Sequence, residues 1–285
     1  MVGFERDREM RATIPRILGV AAVLICAGGS LAADLHPIVE VQSGYFFGAI
    51  SDGKWLKADE TAKSISNETT YRVYGLTQAL GEAKGGKPKA EDVPCEETLF
   101  VALSPKPEKG LIAIAAPWNA LPRKPKSIDT TQKAYVDAVR DFLKTKGIEQ
   151  PKVKIDNILR VDLDGDGEDE VLISATNYLS KDDHVPMRSP AASYSMVLLR
   201  RVVAGKVETQ LIVGEFYPTA YPKAAQEEGR FNAPNAYKVI ATLDLDGDGK
   251  MEVVVGSSYY EGEAITIYRC NPKKAEALLS VSCGA

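Results

Sequence analysis

From Tyr45 to Trp118 the apolar positions fall in short, strand-length runs: GYFFGAI (44–50), TYRVYGL (70–76), ETLFVALS (97–104) and LIAIAA (111–116). Turn signals such as SDGK (51–54) and KPEKG (106–110) separate them, so this part is predicted to be β-rich. A short helix is expected over 58–65, entered through Trp55-Leu56-Lys57, and the polar, Gly/Lys/Pro-rich stretch 77–94 reads as an exposed loop. A Pro- and Lys-rich hinge, WNALPRKPKS (118–127), leads to the one strong helix pattern, about 130–146. There Tyr135, Val136, Val139, Phe142 and Leu143 recur on one face. Ser127 or Asp129 is placed to cap the helix and Gly147 to end it, and the stripe reads as packing on a sheet.

After the helix the pattern repeats. A strand at 155–161, the turn DLDGDGEDE (162–170) and a strand at 171–177 are followed by the runs SYSMVLLRRVV and VETQLIVGEFY around Ala204-Gly205-Lys206. Further on come a strand at 237–243, the turn DLDGDGKME (244–252), a strand at 253–260, and the runs AITIYR and AEALLSV around NPKK. Each unit reads strand, Asp-rich turn, strand, strand, strand, which predicts two four-stranded antiparallel, blade-like units over 155–217 and 237–282.

The two turns carry the chemistry. Acids stand at positions 1, 3, 5 and 9: Asp162, Asp164, Asp166 and Glu170 in the first, Asp244, Asp246, Asp248 and Glu252 in the second. Alternate acids in a tight turn wrap hard oxygen donors around one point, and the backbone carbonyls at position 7, Glu168 and Lys250, can add another. Without a cation the converging carboxylates repel one another. An EF-hand would need its bidentate Glu at position 12, where Ile173 and Val255 stand. The pattern D-x-D-x-D-G-x-x-D/E followed by a Val-rich strand resembles the calcium loops of FG-GAP/VCBS-type repeats, as in integrin-like propellers and bacterial exported proteins. The resemblance covers about 155–281. It implies two Ca²⁺ ions, one per loop, held by the ten residues just named and serving structure rather than catalysis.

The N-terminus adds an address. Arg11 and Arg16 precede the apolar run Ile17–Ala27, and Ser30-Leu31-Ala32 fits a signal-peptidase site, so 1–32 reads as a signal peptide cleaved near Ala32/Ala33. Eleven apolar residues are too few to span a membrane. Met10 is an alternative start, since Glu5, Asp7 and Glu9 do not suit a positive leader, and Ile25 before Cys26 does not suit a lipidation site. Cleavage takes the net charge from −4 to −5, because 1–32 hold four basic and three acidic residues. That mild acidity argues against a nucleic-acid partner or an anionic membrane. With only His36 and His184, a His-rich zinc site or a Ser-His-Asp triad is not expected, and no phosphate loop, nucleophile elbow or CxxC occurs.

Three cysteines follow the cleavage point: Cys95, Cys270 and Cys283. The NPKK turn sets Cys270 opposite about Ala275, leaving Cys283 roughly 26 Å along a straight strand at about 3.3 Å per residue. That is far beyond the ~7 Å Cα limit of a disulfide, so Cys95–Cys283 is the favoured pair and Cys270 is expected to be a buried thiol. The reading is therefore a mainly β chain: signal peptide 1–32, N-terminal β-rich domain 33–125, linking helix 126–150 and calcium-loop repeat domain 151–285. The favoured function is an exported, Ca²⁺-stabilised, non-enzymatic binding or adhesion module for a protein or glycan. An exported hydrolase, with its site in the N-terminal region or the 179–192 loop (Asp182, Asp183, His184), is the alternative. Tyr259, Tyr260 and Glu261 mark a second tip suited to recognition.

Overall fold

The computed structural model describes residues 34–179, 184–230 and 232–284. The expected signal peptide, with Asp182 and Asp183 of the 179–192 loop, lies outside them. Residues 33–285 make up one compact unit. Among the described residues, eighteen strands, three α-helices and one 3-10 turn build it.

The N-terminal strands are β1 (His36–Glu40), β2 (Phe46–Ser51), β3 (Lys54–Lys57), β4 (Thr69–Tyr74), β5 (Ala79–Gly85), β6 (Lys89–Ala90), β7 (Leu99–Phe100), β8 (Leu103–Ser104) and β9 (Ile112–Ile114). Seven of them form one antiparallel sheet, ordered β3-β2-β1-β9-β4-β5-β8, while β6 and β7 pair apart. Two readings of the sequence are corrected here. The run 97–104 is not one strand but two fragments, β7 and β8, that pair in different sheets. The stretch 77–94 is not a loop: its first half is β5, which pairs with β4. In β5 only Ala83 and Gly85 are fully buried and Leu80 packs at the core's margin, so its sequence lacks the apolar signal of a strand.

The repeat region holds β10 (Lys126–Ser127), helix α2 (Lys133–Thr145, after the short helix α1 at Ala58–Thr61), β11 (Ile155–Val161), β12 (Glu170–Thr176), β13 (Ser193–Val203), β14 (Lys206–Tyr217), the short helix α3 (Lys223–Glu227), β15 (Ala236–Leu243), β16 (Glu252–Tyr259), β17 (Gly262–Cys270) and β18 (Ala275–Gly284). The two sheets run β10-β11-β12-β13-β14 and β15-β16-β17-β18, each an antiparallel meander of four principal strands. The blade-like units are as the alternation indicated, with two-residue β10 added at one edge.

Alternation of side chains decides the packing. In the N-terminal sheet Ile38, Phe47, Tyr74, Ile112 and Ile114 enter one core, while their neighbours Val39, Phe46, Val73 and Ala113 enter another on the opposite face. In the first repeat sheet Leu159, Leu172, Val197 and Leu199 join the former core, whereas Ile158, Ile173, Met196 and Leu198 face α2. The second repeat sheet adds Leu243, Val253, Val255, Ile267 and Val281 to that same shared core. One core thus draws on all three sheets.

Helix α2 uses its stripe as expected: Val139 and Leu143 are fully buried, with Tyr135 and Phe142 at the margin. Its end is a Schellman motif. Gly147 (φ +81°) donates to the Lys144 carbonyl at 3.0 Å, and Ile148 donates to that of Leu143 at 3.2 Å. Its start differs from expectation, since Gln132 is the N-cap and makes no side-chain cap; Asp129 instead accepts from Thr131 N and Oγ1.

Cys95 and Cys283 form the disulfide, 5.1 Å between Cα atoms and 188 residues apart in sequence. Cys270 pairs with Ala275 and Cys283 with Glu263 along the β17–β18 hairpin, shifted but not broken by a bulge at Ile267/Tyr268, which is why the nearer cysteines do not meet. Cys270 is half-buried rather than buried. Burial pushes its thiol up to about 12, with Arg201 opposing. Non-reducing peptide mapping should recover Cys95 joined to Cys283. Replacing both by Ala should cost about 5 kcal/mol, since the bond closes so long a loop. A raised pKa keeps Cys270 protonated at pH 8, so native protein should alkylate there at least about a hundredfold more slowly than unfolded protein. Rapid native labelling of Cys270 would contradict this.

Candidate metal centres

Both Asp-rich turns are set by strand register. Val161 pairs with Glu170 and Leu243 with Glu252, so each turn is an eight-residue excursion closed by its own position-9 acid. The hydrogen bonds then repeat one for one. Asp162 accepts from Gly165 N (2.7 Å) and Gly167 N (3.2 Å), and Asp244 from Gly247 N (2.8 Å) and Gly249 N (3.1 Å). Asp164 accepts from Asp166 N and Asp246 from Asp248 N, both at 3.3 Å. Asp166 takes the N–H of Glu168 and Asp248 that of Lys250. Glu170 accepts from Leu163 N (2.8 Å) and Glu252 from Leu245 N (3.0 Å).

This bonding brings the acids together. Carboxylate oxygens of Asp162, Asp164 and Asp166 lie within 4.8 Å of one another, and so do those of Asp244, Asp246 and Glu252. Glu170 and Asp248 are not in these tightest groupings, and each accepts from a backbone N–H. Glu168 and Lys250, expected to contribute through their carbonyls, occupy the exposed exits of the turns. Burial raises the pKa of Glu170, the N–H of Leu163 opposing it and Asp164 adding to it. Asp244 is raised in the same way, against the N–H groups of Gly247 and Gly249. Glu252 is pushed up to about 8 by burial, then by the charge of Asp246. Hard oxygens gathered on mutually repelling carboxylates, of which Glu170, Asp244 and Glu252 are buried and Asp164, Asp166 and Asp248 exposed, make a donor set suited to a divalent cation of the Ca²⁺ type.

Several residues of this site carry no motif. Trp55 and Trp118 pack at the edge of the shared core and also serve the second loop: Trp55 Nε1 donates to Asp246 Oδ2 (3.3 Å) and Trp118 Nε1 to the Asp244 carbonyl (2.9 Å). Arg269 pairs with Asp246 and lies 3.7 Å from Glu252. The stretch 118–127, read as a hinge, begins as a strap that joins the loops to the N-terminal sheet. Arg72 of β4 donates to the Trp118 carbonyl and Tyr74 Oη accepts from Ala120 N, while Ala120 O accepts from Asp244 N at 2.8 Å. Arg123 donates to the carbonyls of Asp162 (2.6 Å), Leu163 (3.2 Å) and Gly249 (2.7 Å). Only a Trp and an Arg in a supposed hinge could have drawn notice, because backbone acceptors leave no trace in sequence.

The other candidates stay apart from the loops. His184 is exposed, while Val185 and Ser189 of the same insertion are buried, so the insertion is not wholly a solvated loop. Tyr260 is exposed, and Tyr259 packs its hydroxyl against Gly262 and Gly284. Among the described residues no helix is long and apolar enough to cross a membrane.

Fold and site together define a β repeat chain with paired acidic loops. The family profile of the FG-GAP repeat matches residues 237–268, which span β15, the second loop, β16 and most of β17. The first unit repeats its strand order and loop bonding. No curated protein and no solved structure matches the chain.

The loop glycines give a direct test of the packing. A Cβ on Gly247 (φ +75°) would lie 2.9 Å from Trp118 Cδ2, whereas one on Gly167 (φ +90°) meets nothing within 4 Å. Gly167→Ala should cost about 1 kcal/mol from backbone strain alone. Gly247→Ala adds the clash with Trp118 and should cost about 2–3 kcal/mol or more. Equal losses in urea melts would refute the strap's close seating.

Proposed function

We propose that this chain is an exported, Ca²⁺-stabilised binding module of the FG-GAP repeat type, acting on a protein or glycan partner rather than as an enzyme. The carrying observation is the one-for-one repetition of hydrogen bonds in two loops whose acids converge. A chance Asp/Gly turn has no reason to occur twice with the same nine-position bonding. The acids at positions 1, 3, 5 and 9, with the carbonyls of Glu168 and Lys250, would hold one ion in each loop. The bound ion supplies charge neutralisation and cross-links the turn. The chain's own residues set the rest: glycines permit the wrap, and the position-9 glutamates anchor each turn to its strand.

Support for the module reading is the FG-GAP match at 237–268 and the sheet architecture. Support for export is the leader-like pattern of 11–32, and native protein sequenced from its N-terminus should begin near Ala33. A start at residue 1 or 10 would count against it.

The metal reading is tested by unfolding. An ion that binds only the folded state at 100-fold excess over Kd stabilises by about 2.7 kcal/mol per site. For a chain of this size that is about 5–10 °C in Tm per ion. Melting in EDTA should therefore fall well below melting in millimolar Ca²⁺, with Asp164→Ala and Asp246→Ala each losing about one bound ion and the double variant both. Superimposable curves in EDTA and Ca²⁺ would sink the reading.

A further inference from the structure

We infer that Arg123 is a positioning residue that couples the two acidic loops, so that an ion in one loop raises the affinity of the other. The proposal rests on the Ca²⁺ reading above. Its basis is that one side chain binds the backbone of both turns. The guanidinium donates to Asp162 and Leu163, positions 1 and 2 of the first loop, and to Gly249, position 6 of the second. Its Nε also lies 3.8 Å from Asp162 Oδ2. Each acceptor is one bond-step from a candidate ligand: Asp162 is itself a ligand, and the N–H of Gly249 donates to Asp244 Oδ2. A second link runs beside the first, since Met251 N donates to the Leu163 carbonyl at 2.7 Å. Gly165 lies against the guanidinium so closely that a Cβ there would be 3.3 Å from Nη1.

A planar guanidinium holding three carbonyls at once has almost no freedom to serve one loop without placing the other. An ion that orders the first turn fixes the carbonyls of Asp162 and Leu163, and with them Arg123. Gly249 is then already in place when the second ion arrives, and less ordering entropy remains to be lost. Coulomb repulsion between two bound divalent ions acts in the opposite sense, screened by solvent and by eight acidic side chains. The sign of the coupling is therefore an experimental discriminator.

The test is calorimetric Ca²⁺ titration of the metal-free full-length chain, with ion content measured independently. The variants Asp246→Ala and Asp164→Ala give the affinity of the first and second loop alone. The overall two-ion constant of the wild type, divided by the product of those two, is the coupling factor, expected to be at least about fivefold. Repeating the set in Arg123→Gln should cut that factor at least about threefold, the Met251–Leu163 bond carrying any remainder, while two ions still bind. Arg123→Lys keeps the charge near Asp162 but cannot span three carbonyls, so it should cut the factor likewise, and it serves if the Gln variant does not fold. A merely structural role would weaken both loops and leave the factor unchanged. A wild-type factor of one or below, or one that survives both substitutions, overturns the proposal while leaving the metal reading intact. Failure of the wild type to bind any ion would overturn the metal reading and this proposal together.

Discussion

Like charges folded against one another set the terms for this molecule. Two turns bring carboxylates to within 4.8 Å, and the turns themselves touch through Leu163 and Met251. Water would ordinarily screen such groups, but Asp244, Glu170 and Glu252 are buried, so each must be held by directed bonds. Backbone N–H groups supply one part of the counter-field and arginines supply another, yet Glu252 is still pushed up to about 8. The glycine positions, the register that closes each loop on its position-9 acid, and the strap of 118–123 all fix where this charge sits.

That concentration of charge explains why the N-terminal sheet is not an appendage. Strand β4 holds the strap through Arg72 and Tyr74, the strap holds both loops, and the Cys95–Cys283 bond holds the other end of the last hairpin. Between these ties the shared core runs from Ile38 and Phe47 through Leu172 to Val253 and Val281. Loosening the N-terminal sheet therefore loosens Trp118 and Arg123, and through them the loops. The polar turns and the apolar core are stabilised as one cooperative body.

The repeat units were legible because each is built from neighbours in sequence. Hairpin pairing, period-2 alternation and the Asp/Gly turns are local signals, and β11 to β18 fall within a few residues of the runs read from them. The disulfide was legible for the same reason, since one hairpin register placed Cys270 and Cys283 at different heights. The N-terminal sheet was harder because its centre is long-range: β9 pairs with β1 and with β4, neither adjacent in sequence. Polar β5 carried no apolar run, and 97–104 carried a run that the chain breaks in two. Trp118 and Arg123 act on carbonyls, which every residue possesses. Side-chain patterns cannot reveal such contacts.

The two loops match in their bonds but not in their surroundings. Val171 pairs with Arg200 and Val253 with Tyr268, which puts Arg201 level with Glu170 as Arg269 is level with Glu252. The same arginine thus recurs on the third strand of each unit. Arg269 pairs directly with Asp246 and faces Glu252, with Trp55 5.8 Å from its guanidinium carbon. Arg201 is turned instead toward Gln210 (3.2 Å) and the Cys270 carbonyl (3.4 Å), its Nε left without a partner, and it reaches Glu170 only through its field. A directly paired cation neutralises its loop more than a distant one does. The second loop therefore has a counter-charge in direct contact with Asp246, while the first has only the more distant Arg123, 3.8 Å from Asp162 Oδ2, beside the exposed Asp164 and Asp166. Two copies of one motif are in this way set to different electrostatic poise, and the difference lies wholly in residues outside the motif.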